Sequence, residues 1–201
     1  MNTSKLLINI EKFKFVIFFG HGKSDILCGS KGKYYDNLGF NNEVLFLENP
    51  RDYYYKETFI DKSNINIFKN KNIFCLSCNS NEKIANYAID AGANSFIGFG
   101  NIPTSIEEFI DLKYENVSSD LVRNMKTEIN YIIKTSLNLA IKNNSTIEQL
   151  GNNIIFFSNQ RIADILVNQK KYKDRFILTD NIYLFKKEMK IFGNKNSKLF
   201  Y

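Results

Sequence analysis

Apolar positions fall in short dense runs in the first half of the chain and in spaced stripes in the second. Phe13–Phe19 is apolar at nearly every position, the pattern of a strand covered on both faces in a parallel sheet. Gly20 and Gly22 follow and permit a tight exit with close backbone approach. Ser24–Cys28, with Gly29-Ser30-Lys31-Gly32 behind it, predicts a short strand and a turn. Lys33–Thr58 mixes tyrosine, asparagine and charge and reads as an irregular insertion holding one short strand, Val44–Leu47. Asn72–Ser77 predicts a second buried strand, Asn81–Ala91 a helix closed by Gly92, and Ser95–Phe99 a third strand closed by Gly100. Strand, helix and strand at this spacing form a βαβ unit with parallel strands.

Beyond Pro103 the period becomes helical. Thr104 with Glu107, and Ser145 with Glu148, fit capping boxes. Between Ser119 and Asn143, residues Val122, Met125, Ile129, Ile132, Ile133, Leu137, Ala140 and Ile141 share one face, which predicts a long amphipathic helix packed on the sheet. A further helix runs to about Asn168, and Phe176–Phe185 and Lys190–Phe192 read as closing strands. These elements describe one α/β domain over residues 1–201, with a sheet-forming part at 13–105 and helices and closing strands at 106–201.

Hydrophobic residues are 44% of the chain and proline occurs twice, which excludes a disordered or collagen-like polypeptide. The abundance of Asn, Lys, Ile, Phe and Tyr fits an AT-rich genome and carries little functional meaning. The net charge is +6, but the lysines are scattered, and the densest cluster, Lys170-Lys171-Tyr172-Lys173 with Arg175, reads as a solvated loop. That argues against direct nucleic-acid binding. No apolar run approaches the ~18 residues of a membrane span. The first residues lack the charged and apolar regions of a signal peptide. Three cysteines, an odd number, then suit a reducing, cytoplasmic setting.

The chemistry concentrates at two strand ends. The single histidine, His21, lies between Gly20 and Gly22 after the first strand. The second run, Ile73-Phe74-Cys75-Leu76-Ser77-Cys78-Asn79-Ser80, ends on the thiol of Cys78. An imidazole can take the proton of an attacking thiol and return it to a leaving amine. The backbone N–H groups of Gly22 and Cys78 are candidates for the oxyanion hole, and Asp25 and Asn79 for substrate contacts. Cys75 and Cys78 also match C-x-x-C. A residue inside a strand and one three positions later point to opposite faces, which disfavours a thioredoxin-like pair. The cysteine and histidine spacing likewise lacks the paired pattern of a structural zinc site.

Three blocks together resemble the caspase-like cysteine peptidases of clan CD, most closely the bacterial CHAT-type branch. They are Phe18-Phe19-Gly20-His21-Gly22, the run Ile73–Ser80, and Ile84–Gly98 with its Ala91-Gly92-Ala93 turn. The resemblance covers about residues 13–105. It implies a three-layer sandwich with a mostly parallel sheet flanked by helices. It implies a cysteine endopeptidase acting on protein or peptide substrates, with His21 as acid and base, Cys78 as nucleophile, and no metal or organic cofactor. Family members select a preferred residue through a charged pocket; Asp25, Asp90, Glu107 and Glu108 are acids available to line one. Relatives usually carry one or two strands before the histidine strand, where this chain has about twelve residues. CHAT-type domains are usually fused to a sensor or scaffold, so the resemblance also implies a separate activating or scaffold protein, by analogy in bacterial defence. The alternative reading is a caspase-like regulatory subunit whose chemistry is silent.

Overall fold

The dense apolar runs form strands and the spaced stripes form helices. The computed structural model describes residues 13–29, 57–115 and 117–200. In chain order the elements are β1 (Phe15–Phe19), β2 (Leu27–Gly29), β3 (Glu57–Ile60), a 3-10 turn (Ile65–Phe68), β4 (Asn72–Leu76), α1 (Lys83–Asp90), β5 (Ser95–Gly98), α2 (Ile106–Asp111), α3 (Ser119–Lys142), α4 (Ile147–Asn168), α5 (Arg175–Glu188) and β6 (Lys190–Gly193). The expected strand at Val44–Leu47, and the insertion up to residue 56, lie outside the described residues.

The chain is a mixed α/β protein built on a four-stranded, mostly parallel sheet. The strand order is β1-β4-β5-β6, with β1, β4 and β5 parallel and β6 antiparallel to β5. β2 and β3 form a separate antiparallel pair. The β4–α1–β5 unit is the expected βαβ crossover, and its helix ends at Gly92 with φ +92°, a backbone conformation that favours glycine.

Both faces of β4 are covered, and each covering layer is a separate apolar cluster. On one face Ile73 and Cys75 pack with Phe96, the 3-10 turn and Ile84, Ala85 and Ala88 of α1. On the other, Phe74 packs with Ile97, Phe99 and the inner stripes of α3, α4 and α5. Phe99 stacks on Phe185 of α5 at 4.8 Å between ring centroids and meets Phe74 edge-on at 5.5 Å. The polar Asn72 at the start of β4 is buried but satisfied. Its Oδ1 accepts from Ser95 Oγ at 2.8 Å and its Nδ2 donates to Lys198 O at 2.8 Å.

Four expectations are corrected. β1 is an edge strand among the described residues, with Ile17 and Phe19 exposed, so it is not covered on both faces. Phe176–Phe185 is helix rather than strand, because Leu178, Ile182 and Phe185 bury one helical stripe against α3 and α4. The cap of α2 is Ser105, whose hydroxyl accepts the N–H of Glu108, and the capping box of α4 is Thr146 with Gln149. Each cap sits one residue later than its sequence pattern suggested. No helix among the described residues is long and apolar enough to cross a membrane.

Candidate active site at the ends of β1 and β4

The register places Phe19 beside Leu76, and Gly20 N–H donates to Leu76 O at 3.3 Å. The two strands therefore release their chains side by side at one edge of the sheet, the carboxyl edge where open α/β folds carry their sites. His21 leaves β1 and Cys78 leaves β4 at this edge. Gly22 shows how closely the two exits approach. A Cβ there would overlap Ser77 Oγ and lie 3.4 Å from Cys78 O and 3.1 Å from Ile26 O. Glycine at this position lets the histidine segment lie against the cysteine segment.

The segment after His21 is fixed by its own small ladder. Cys28 N–H donates to His21 O at 2.8 Å and Lys23 N–H to Ile26 O at 2.9 Å, around a bridge between Gly22 and Leu27. In an antiparallel pair of this type the two bridged residues turn their own N–H groups outward, so the Gly22 N–H points away from β2. Ser24 O accepts the N–H of Ile84 at 2.8 Å, which ties the same segment to the first turn of α1.

The segment after β4 is held more tightly. The buried Ser80 hydroxyl lies 2.8 Å from Ser77 O and 2.9 Å from Cys75 O, and it accepts Phe99 N–H at 2.9 Å. Asn79 adopts φ +55°, and its N–H donates to Gly100 O at 3.0 Å. Gly98 leaves room for this turn, because a Cβ there would collide with the Ser80 and Asn81 backbone. From α5, Glu188 accepts Asn81 Nδ2 on its carbonyl at 2.7 Å and Asn101 N–H on its carboxylate at 3.2 Å. Ser77 Oγ is buried without a hydrogen-bond partner among the described residues.

The thiol of Cys78 is half-buried and donates to Ile102 O at 3.5 Å. Burial pushes its pKa up, a backbone contact with Ile102 opposes the rise, and the Glu108 carboxylate adds to it. His21 is half-buried as well. Burial lowers its pKa below 6.5, Glu108 partly restores it, and the Lys126 ammonium of α3 lowers it further. Near neutral pH the resting pair is thus a thiol and a neutral imidazole, rather than a thiolate with an imidazolium. One carboxylate, Glu108, acts on both groups. The Cys78 N–H, like Ile102, partly offsets the rise in the thiol pKa.

The remaining residues singled out from sequence separate clearly. Asp25 is exposed in the turn between Gly22 and Leu27, and Asn79 is half-buried beside the nucleophile candidate. Asp90 ends α1, a helix that starts near the site and runs away from it, about 12 Å of helix from its beginning. Glu107 is exposed on α2. Cys75 is fully buried on the α1 face, and burial pushes its thiol up to about 12. Cys78 packs against the opposite cluster, so the C-x-x-C cysteines face different layers, and all three cysteines are free. Among the described residues no three or more His, Cys, Asp and Glu side chains gather as a metal-ligand group.

Sequence reasoning missed the internal bracing by Ser80, Glu188 and the α2 cap. Ser80 and Glu188 act across long separations in the chain, with only the small polar pair Asn79-Ser80 hinting at the first, whereas the α2 cap is local and was placed one residue early. A scan against protein-family models, a search of curated proteins and a search of solved structures each return no match.

Proposed function

We propose that this chain is a cysteine endopeptidase of caspase-like architecture, with Cys78 as nucleophile and His21 as its acid and base. The observation that carries the reading is the side-by-side exit of β1 and β4, so close that a Cβ on Gly22 would lie 3.4 Å from Cys78 O. The imidazole accepts the thiol proton as the sulfur–carbon bond forms to the scissile carbonyl. The carbonyl electron pair moves to oxygen, where the Gly22 and Cys78 N–H groups stabilise it. Collapse breaks the carbon–nitrogen bond, the imidazolium protonates the leaving amine, and a thioester remains. Water then attacks the thioester with His21 as base, releasing the acid and restoring the thiol. Asn79 and Asp25 flank this path on either strand exit and are the proposed substrate contacts. The substrates are proteins or peptides, and the setting is regulated proteolysis of the bacterial-defence kind.

The second reading, a silent regulatory subunit, draws on a specific observation: the thiol is engaged by Ile102 O and its pKa is raised. Cleavage of a peptide library varied at the residue before the scissile bond, followed by mass spectrometry, separates the two. The protease reading predicts His21- and Cys78-dependent products, both lost in His21→Ala and Cys78→Ala. It also predicts a sign for the pH profile. The folded His21 has a pKa below 6.5, so cleavage persists through that value and fails only at lower pH as the base is protonated. Products that survive Cys78→Ala, or their absence with every peptide and with added host lysate, would overturn it.

A further inference from the structure

The loop between β5 and α2 does more than connect. Its Ile102 carbonyl receives the Cys78 thiol at 3.5 Å, and two residues later the same loop is tied to α2. Glu108 accepts from Thr104 N–H at 2.5 Å and from Thr104 Oγ1 at 3.1 Å through one carboxylate oxygen, Oε2. The Glu108 N–H is itself taken by Ser105 Oγ at 3.3 Å, so both ends of this residue fasten the same short turn. Pro103 lies between the thiol's acceptor and Thr104, fixing φ there and stiffening the connection.

We propose that Glu108 is a positioning residue for the nucleophile: its carboxylate, through Thr104, holds the loop whose Ile102 carbonyl receives the Cys78 thiol. The inference rests on Cys78 being the nucleophile, but its test reads the thiol rather than peptide cleavage. The carboxylate acts in two ways. It fixes the loop by hydrogen bonds, and its charge opposes thiolate formation at Cys78. The charged and titratable groups around the pair are His21 from the β1 exit, Glu108 from α2 and Lys126 from α3. The resting enzyme therefore holds its thiol protonated against a clamped loop. Neutralising or displacing Glu108 releases it.

The test is the rate of Cys78 alkylation by iodoacetamide across the neutral to alkaline range, read by peptide mapping in the full chain. Glu108→Gln keeps an oxygen acceptor for Thr104 and removes the charge. Its Cys78 profile is expected to move to lower pH, with a rise in rate at neutral pH of roughly three- to tenfold. Thr104→Val, which removes the hydroxyl contact and keeps the charge, is expected to leave the midpoint in place but to raise the rate at every pH as the loop loosens, and an unchanged rate would overturn the loop-holding role. Buried Cys28 in the same digest is the internal reference, and circular dichroism monitors folding. A Glu108→Gln profile superimposed on the wild type would overturn the proposal. So would a parallel rise at Cys28, which would mean general loosening of the chain. A shifted Glu108→Gln profile together with faster alkylation in Thr104→Val, without any peptide cleavage, would uphold the positioning role while counting against the protease.

Discussion

Gly22 is the residue at which sequence, packing and proposed chemistry meet. Its missing side chain leaves room for Ser77 Oγ, and its N–H faces away from the bridge with Leu27. Gly22→Ala is expected to cost about 1–3 kcal/mol through overpacking and to abolish any His21-dependent reactivity, because the histidine segment must move off the cysteine segment. Ser77→Ala alone is expected to be nearly neutral, since its buried hydroxyl has no partner among the described residues to lose. Placed together, Ser77→Ala should recover part of the Gly22→Ala loss, and the recovery is measured by a double-mutant cycle in urea. At this scale the sequence was informative. A lone histidine between two glycines and a thiol at a strand end were visible without coordinates. The Glu108 carboxylate was visible only as one of several acids, because the cap was read at Thr104 with Glu107 rather than at Ser105 with Glu108.

Among the described residues, α3 and α4 share a partly buried charge contact. Arg161 Nε and Nη2 donate to Glu128 at 2.6 and 2.9 Å, Nη1 to Asp164 at 2.8 Å, and the guanidinium lies 5.2 Å from the Tyr131 ring centroid. Glu128 is nearly buried while Arg161 keeps some access to water. Removing one partner strands the other. Glu128→Ala is therefore expected to lose roughly 1.5–3 kcal/mol in urea unfolding. Replacing both with leucine is expected to lose less, because the carboxylate then left without its partner, Asp164, is solvent-accessible rather than buried. The same helices show why Phe176–Phe185 was misread. Its Phe, Ile, Thr and Tyr content favours a strand by local preference. The bundle instead buries Leu178, Ile182 and Phe185 at helical spacing, and this tertiary packing decides the outcome. The strand β1 was read two residues too long at its start and in the wrong environment. A dense apolar run looks the same at the centre and at the edge of a sheet, and only pairing distinguishes them.

Across the whole molecule, the sheet and the helical layer are joined by the last residues described. Leu199 is fully buried in the α3–α5 cluster, its N–H donates to Ser145 O at 3.0 Å, and Lys198 O receives Asn72 Nδ2 from the start of β4. Leu199→Ala is expected to cost about 2–5 kcal/mol, measured by chemical denaturation, and to loosen the base of β4 together with the helix junction before α4. Nothing in the sequence marks this leucine, because its importance comes from contacts separated by more than fifty residues. The class of fold was legible: a βαβ unit, a mostly parallel sheet and a helical second half. The edge position of β1 and the bracing of the two strand exits were set by long-range contacts, which local patterns do not encode, whereas the caps are local and each pattern was read one residue early.

The central claim is that His21 and Cys78 form one reactive pair. The most direct measurement is labelling of the full chain with a library of peptide acyloxymethyl ketones, read by intact mass and peptide mapping in the wild type and in His21→Ala. The account predicts a single adduct at Cys78 that depends on the peptide's terminal residue and disappears in His21→Ala. Equal labelling of Cys28, Cys75 and Cys78, or an adduct at Cys78 unchanged by His21→Ala, would contradict it.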